Sequence, residues 1–285
     1  MSGLIAPFLD NPFLVRALLA GVLVAIACAV VGTFVVLRGL AFIGDALAHG
    51  VLPGIAGALL LGAPGVVGAA VGAGVMIGGV RCAGVILVRR HSRLSGDTAI
   101  GLLFVGMLAL GVVIVSRSDS FSGDLTQILF GEVLGIDAGD IWLQGAAAAI
   151  VLVAAVVCAR PFLLLAFDQD QCRAAGFHPG LYEWIMLGLV ALTVVVSFQT
   201  VGTLLVFGML VAPPATAALV ARRVSVMMLL AGLIGVVSVY LGLLISYHHD
   251  LAAGATIVLV EVVLFFSALV ARGVARLGAG DGERA

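Results

Sequence analysis

The sequence predicts an all-α, polytopic membrane protein of eight or nine transmembrane helices, forming a single transmembrane domain over residues 1–285. Three observations carry that expectation. Of the 285 residues, 63% are hydrophobic and only 10% charged, against roughly 45–50% and 25% in a soluble domain. The apolar residues fall into stretches of about 20, the length a helix needs to cross a bilayer core. Arginines recur on alternate polar breaks, as expected when short cytoplasmic loops gather basic residues.

Pro12–Leu37 is the first stretch, with Arg38 in the break behind it. The residues before it lack the basic start and small-residue cleavage site of a removable leader, so this stretch is expected to stay in the mature chain. Ala41–Leu61 contains Gly50-x-x-x-Gly54 and an internal Pro53, and Val66–Val88 contains Gly68-x-x-x-Gly72 and Gly74-x-x-x-Gly78. Such spacings let helices approach closely. Asp97–Ser116 is the fourth stretch. The polar loop at 117–140 carries Asp119, Asp124, Glu132, Asp137 and Asp140 against Arg117. An acidic outer vestibule would concentrate cations; the same acids equally suit a solvated loop or the caps of short helices.

Ile141–Cys158 is the fifth stretch. The connection at 160–182 is the longest on the cytoplasmic side, and Asp168 is placed to cap a short helix running to Gly176. Trp184–Val201, Leu204–Val220, Val224–Ile245 and Gly254–Ala271 complete the series, with Pro213 and Pro214 interrupting the seventh. Carbonyls freed by proline at membrane depth are tolerated only inside protein or beside a wet cavity. Arg38, Arg89, Arg90, Arg93, Arg160, Arg173, Arg222, Arg223, Arg272, Arg276 and Arg284 share one face. That face is expected to be cytoplasmic, with the C-terminus inside and, for nine spans, the N-terminus outside.

Composition also excludes functions. All 14 basic residues are Arg, so lysine chemistry is absent, including the Lys of a phosphate-binding loop and ATP hydrolysis by that loop. A formal charge of −1 argues against nucleic acid as a partner. Cys28, Cys82, Cys158 and Cys172 stand singly, without C-x-x-C spacing, and read as small hydrophobes.

Ionisable groups inside a span are expensive, roughly 2.5–3.5 kcal/mol each on insertion scales, so each needs a partner or a task. Asp45 and His49 are four apart and share a helix face. A carboxylate and an imidazole one turn apart suit a borderline divalent cation such as Zn²⁺ or Mn²⁺; an internal Asp–His hydrogen bond that ties helices together is the other reading. His248, His249 and Asp250 lie at the outer end of the eighth stretch, placed either to receive a metal or to form the polar turn of a hairpin. Glu261, inside the last stretch, is either a ligand alongside Asp45 and His49 or a hydrogen-bonding group between helices. His91 and His178 fall in loops and read as solvated.

Gly44-Asp45-Ala46-Leu47-Ala48-His49-Gly50-Val51-Leu52-Pro53-Gly54 resembles the G-D-[AT]-[IL]-[SA]-H-[AGS]-x-L-P-G motif of permease subunits of zinc/manganese-type metal ABC transporters. The similarity continues in order through Asp97–Gly101, Ile128–Gly131, Phe167-Asp168, Gly202–Val206, Ala212–Ala217 and Gly254–Leu259. The resemblance implies a helical fold similar to that of cobalamin-importer permeases, with fewer spans. It also implies a second copy of the permease, two cytoplasmic ATPase subunits, an extracytoplasmic metal-binding protein, and a cell membrane of a prokaryote. Asp45 and His49 correspond to a metal site in the pathway. Phe167, Asp168, Ala174, Ala175 and Gly176 correspond to the helix that docks on the ATPase. The family's outer turn reads approximately S-Y-x-x-D-x-x-x-G, which Ser246, Tyr247, Asp250 and Gly254 match. His248 and His249 fill its variable positions, so Asp250 is the stronger candidate there.

The implied function is import of a divalent transition-metal ion, zinc or manganese or iron, by a subunit that is not itself an enzyme and holds no cofactor beyond the transported ion. The rival is a self-contained secondary transporter in which Asp45, His49 and Glu261 relay protons. A structural membrane anchor leaves the buried Asp–His pair unexplained.

Overall fold

A computed structural model describes residues 7–8, 11–60, 65–82, 96–116 and 135–281. Most of the acidic loop, with Asp119, Asp124 and Glu132, lies outside that range, as do Ile128–Gly131, Arg89, Arg90, Arg93, Arg284 and His91. Among the described residues every regular element is helical: α1 (Pro12–Leu37), α2 (Ala41–Leu60), α3 (Gly65–Cys82), α4 (Gly96–Val115), α5 (Ala138–Val157), α6 (Ala159–Phe167), α7 (Gln169–Ala174), α8 (Pro179–Val220), α9 (Val224–His249) and α10 (Ala253–Asp281).

Six stretches within these are long and apolar enough to cross a membrane: α1, α5, α9, Ala253–Val274 of α10, and two arms of α8, Pro179–Phe198 and Thr200–Val220. The third and fourth predicted spans contain the shorter apolar runs Val67–Gly79 and Gly101–Ile114, and the second is α2.

The helix ends follow their capping residues. Pro12 opens α1, where a missing N–H costs nothing. At its other end Gly39 takes φ 64, and the Leu40 N–H reaches the Val35 carbonyl while the Gly39 N–H reaches Val36. That is a Schellman closure, which turns the chain into α2 within three residues. Asp137 and Asp140 cap each other's backbone at the start of α5.

α8 is not one rod. Near its start Glu183 pairs with Arg38 on α1 at 3.0 Å, while Leu210 and Pro214 in its second arm press against Gly32 on the same helix. In a straight helix Glu183 and Pro214 would stand about 46 Å apart, yet their partners on α1 are only six residues from each other. The chain therefore reverses at Gly202, whose φ of 78 and ψ of 165 are open to glycine and strained for other residues. At the turn end Gln144 of α5 donates from its side-chain amide to Ser197, 2.9 Å away and fully buried.

α8 packs against α1, α2, α3, α5, α9 and α10 and forms the centre of the bundle. α1 is the most enclosed of the six spans, with 72% of its apolar window buried against 28% for α5 and for α10. Outer faces remain apolar: Val67, Val71 and Val75 on α3 and Leu259, Val263 and Phe266 on α10 are all exposed. A surface of that kind suits a lipid bilayer rather than water.

Small residues set the closest approaches. A side-chain carbon on Gly54 would collide with the backbone of Gly68 and Gly72, and one on Gly68 with the carbonyl of Gly54, so α2 and α3 meet backbone to backbone. Gly74 and Gly78 face open space, so that second spacing on α3 mediates no contact among the described residues. Gly32 of α1 leaves room for the Leu210 carbonyl, whose helical donor is removed by Pro214 four residues on.

Candidate functional site

α2 carries Asp45 and His49 one turn apart, and three neighbours hold it. Gly44 packs on Leu210 of α8, Gly50 on Met76 of α3, and Gly54 on Gly68 of α3. The His49 ring stands edge-on to Phe104 of α4, with centroids 5.3 Å apart and planes at 68°. Pro53, inside the helix, offers no N–H to the His49 carbonyl four residues before it. Asp45 lies on the backbone of α2; its side chain is outside the described portion. Asp97, at the start of α4, is in the same position.

Glu261 lies on α10 with 0% exposure, and among the described residues neither carboxylate oxygen has a hydrogen-bond partner. It abuts Gly208 of α8. Gly44, next to Asp45, packs on Leu210, which lies about 200° around the helix from Gly208. The second arm of α8 thus runs between Glu261 and the Asp45 segment of α2.

His248, His249 and Asp250 are exposed where α9 ends. The Nδ1 of His248 lies 2.8 Å from the Leu244 carbonyl. Asp250 closes the helix at φ 52 and ψ 41 and donates its N–H to Ser246, and the Ser246 hydroxyl donates to the Leu251 carbonyl. Among the described residues no three His, Cys, Asp or Glu side chains gather into a metal cage.

The connection between α5 and α8 forms two short helices. Phe167, 72% exposed as a residue, ends α6. Asp168 accepts from the Asp170 N–H at 2.8 Å and caps α7, Arg173 pairs with Asp170 at 3.0 Å, and Ala174 and Ala175 are exposed. Gly176 closes α7 at φ 84, with the Phe177 N–H donated to the Cys172 carbonyl. α7 therefore presents its polar side and Phe167 outward while Cys172 anchors it.

Two features escape the sequence. Arg38 reads there only as a marker of sidedness and Glu183 attracts no notice, yet they meet across 145 positions. Gln144 and Ser197 are ordinary polar residues in apolar stretches until the fold brings them together.

Residues 10–272 match the ABC 3 transport family. The chain belongs to that family. The manganese transport system membrane protein MntC of Halalkalibacterium halodurans is 39% identical over 257 residues, spanning 90% of this chain and 86% of that one. The chelated iron transport system membrane protein YfeD of Yersinia pestis is 37% identical over 264 residues, spanning 91% and 85%. Among solved structures, PsaBC from Streptococcus pneumoniae in complex with Fab superposes with a TM-score of 0.82 at 32% identity, over 93% of this chain and 94% of that one. The ABC 3 chain described here is accordingly a multi-pass membrane permease of the metal ABC transporter type, a transport subunit.

Proposed function

We propose that this permease imports a divalent transition-metal ion, manganese or zinc or iron, and that Asp45 and His49 form the site the ion crosses. The observation that carries the reading is their placement one turn apart on a helix held by α3, α4 and α8, beside Phe104. A carboxylate and an imidazole meet the donor preference of these ions, while selectivity rests on geometry and metal availability. The manganese and iron relatives support the class of cargo.

Asp250, with His248 and His249 beside it, forms an exposed polar end where an arriving ion is first met. Glu261 supplies a separate buried carboxylate on the far side of the second arm of α8. The end of the molecule bearing Arg38 and α7 faces the cytoplasm, with the C-terminus on that side. α7, from Asp168 to Gly176 with Phe167, docks on a separate ATPase subunit. Two permeases, two ATPase subunits and an extracytoplasmic metal-binding protein complete the importer. Membership of an ABC family favours ATP as the driving force over self-contained proton coupling. The permease itself makes and breaks no covalent bond; it exchanges ligands around the ion as the pathway opens to one side and then the other.

The test is the manganese, zinc and iron content of cells carrying the wild type, Asp45→Ala or His49→Ala, at equal levels of permease in the membrane. Both variants are expected to lose accumulation of the transported metal. Accumulation at the wild-type rate in either would remove that residue from the site.

A further inference from the structure

We propose that Arg38, Glu183 and the rings of Phe34, Phe162, Tyr182 and Phe177 form a transmission link that carries displacement of α7 to α2, and so to Asp45 and His49. The inference rests on the reading of α7 as the ATPase contact and adds the route by which that contact reaches the ion.

The link has two parts, both of which join the end of α1 to the start of α8. The first is the Arg38–Glu183 ion pair, 3.0 Å long, with side chains only 10% and 22% exposed. The second is a chain of edge-on rings. Phe34 meets Phe162 at 5.3 Å, Phe162 meets Tyr182 at 6.4 Å, and Tyr182 meets Phe177 at 5.5 Å. Phe34 and Arg38 are four apart and share a face of α1, while Tyr182 and Glu183 are neighbours on α8. The cytoplasmic end of α1 is therefore fastened to α6 and α8 by apolar packing and by charge at once.

Each end of this link meets a part that moves or acts. Phe177 directly follows Gly176, the residue that closes α7, so a push on α7 arrives at the ladder within one residue. At the other end Arg38 precedes Gly39, which has φ 64 and, among the described residues, open space beside it, and Leu40, after which α2 begins. Only Arg38, Gly39 and Leu40 separate the fastened end of α1 from the helix that bears Asp45 and His49. The second arm of α8 also touches α2 at Gly44, so α2 is held against the part of the bundle that the link would shift.

The solvated Asp170–Arg173 pair on α7 is a contrast. The side chains of Arg173 and Asp170 are 61% and 85% exposed, and pairs of that kind contribute little. Breaking one partner of an enclosed pair leaves a charge without its counterpart. Arg38 and Glu183 act here as positioning residues and touch no ion.

The experiment uses the complete importer in proteoliposomes and reads Mn²⁺ moved per ATP hydrolysed. The variants are Arg38→Glu, Glu183→Arg, the double exchange of both, Phe177→Ala, and Ala substitutions along Gln169–Arg173. Co-purification of permease with ATPase measures assembly. Each single charge reversal is expected to lower the ratio about fivefold or more, the scale of a typical coupling between sites, with assembly intact. The double exchange is expected to recover more than half of the loss, because the pair is restored in the opposite sense. Phe177→Ala, at the half-exposed end of the ladder, is expected to lower the ratio in the same direction.

A wild-type ratio in both assembled single reversals overturns the link, and so does a double exchange no better than the worse single. If the reversals fail to assemble, a wild-type ratio in Phe177→Ala overturns it. If the α7 variants uncouple while the Arg38 and Glu183 variants do not, the link fails and the ATPase contact stands. If the α7 variants stay fully coupled, the contact itself fails and the link falls with it.

Discussion

Four glycines on two neighbouring helices give a perturbation with its control built in. Gly54→Ala would drive a methyl carbon into the backbone of Gly68 and Gly72, and Gly68→Ala would drive one into the Gly54 carbonyl. Backbone cannot rotate away as a side chain can, so α2 and α3 must separate by a few tenths of an ångström or more along their shared length. Overpacking of that kind costs roughly 1–3 kcal/mol. On the same helix, no described residue lies within 4 Å of where a side-chain carbon on Gly74 or Gly78 would stand. Alanine there adds no clash and removes the entropic disadvantage of glycine in a helix, a gain of about 0.5–1 kcal/mol. The assay is thermal unfolding of the four purified variants in one detergent, followed by loss of the folded monodisperse species. Gly54→Ala and Gly68→Ala should unfold well below the wild type, and Gly74→Ala and Gly78→Ala at or above it. Equal losses in all four would refute the assignment of the contact to the Gly54–Gly68 pair.

Other outcomes follow from single contacts. Ser197→Ala removes the acceptor of the buried Gln144 amide, whose carbonyl oxygen has no partner among the described residues; within a bilayer the loss should be about 0.6–2 kcal/mol, and a Gln144→Leu/Ser197→Ala double variant should recover part of it in the same unfolding assay. Asp250→Gly relieves a left-handed conformation at φ 52, so stability should rise by about 1 kcal/mol, and a fall in metal uptake despite that gain would mark Asp250 as a residue the ion meets. Asp168→Ala removes the cap on the first turn of α7; it should loosen that helix by about 1 kcal/mol and lower the ATP efficiency of transport without altering the amount of folded permease.

Positions of helices were legible in the sequence because bilayer thickness fixes their length, and the breaks carry Arg, Pro and Gly. α7 was legible residue by residue: Asp168 is a cap wherever a helix follows it, and Gly176 takes the left-handed closure most other residues resist. The Asp45–His49 spacing was readable because four residues make one turn. Pairing between helices was not. In a bilayer the lipid-facing side is as apolar as the protein-facing side, so Val75 and Met76 look alike in sequence although one is exposed and the other fully buried. For the same reason the Gly74–Gly78 spacing looks like the Gly68–Gly72 spacing, and only the fold separates them. Glu261 could be recognised as anomalous, but its station behind the second arm of α8 depends on the reversal at Gly202. Arg38 and Glu183 needed the same reversal to meet.

That reversal has a consequence for how the chain is made. Thr200–Val220 begins two residues after Pro179–Phe198 ends, so no hydrophilic loop lies between the arms to be passed across the membrane. The two arms are therefore joined tightly enough to enter the bilayer as one hairpin, with Ser197, Thr200 and Thr203 near its tip. The central pillar of the bundle is thus committed late, after α1 to α5 are already in the membrane to receive it.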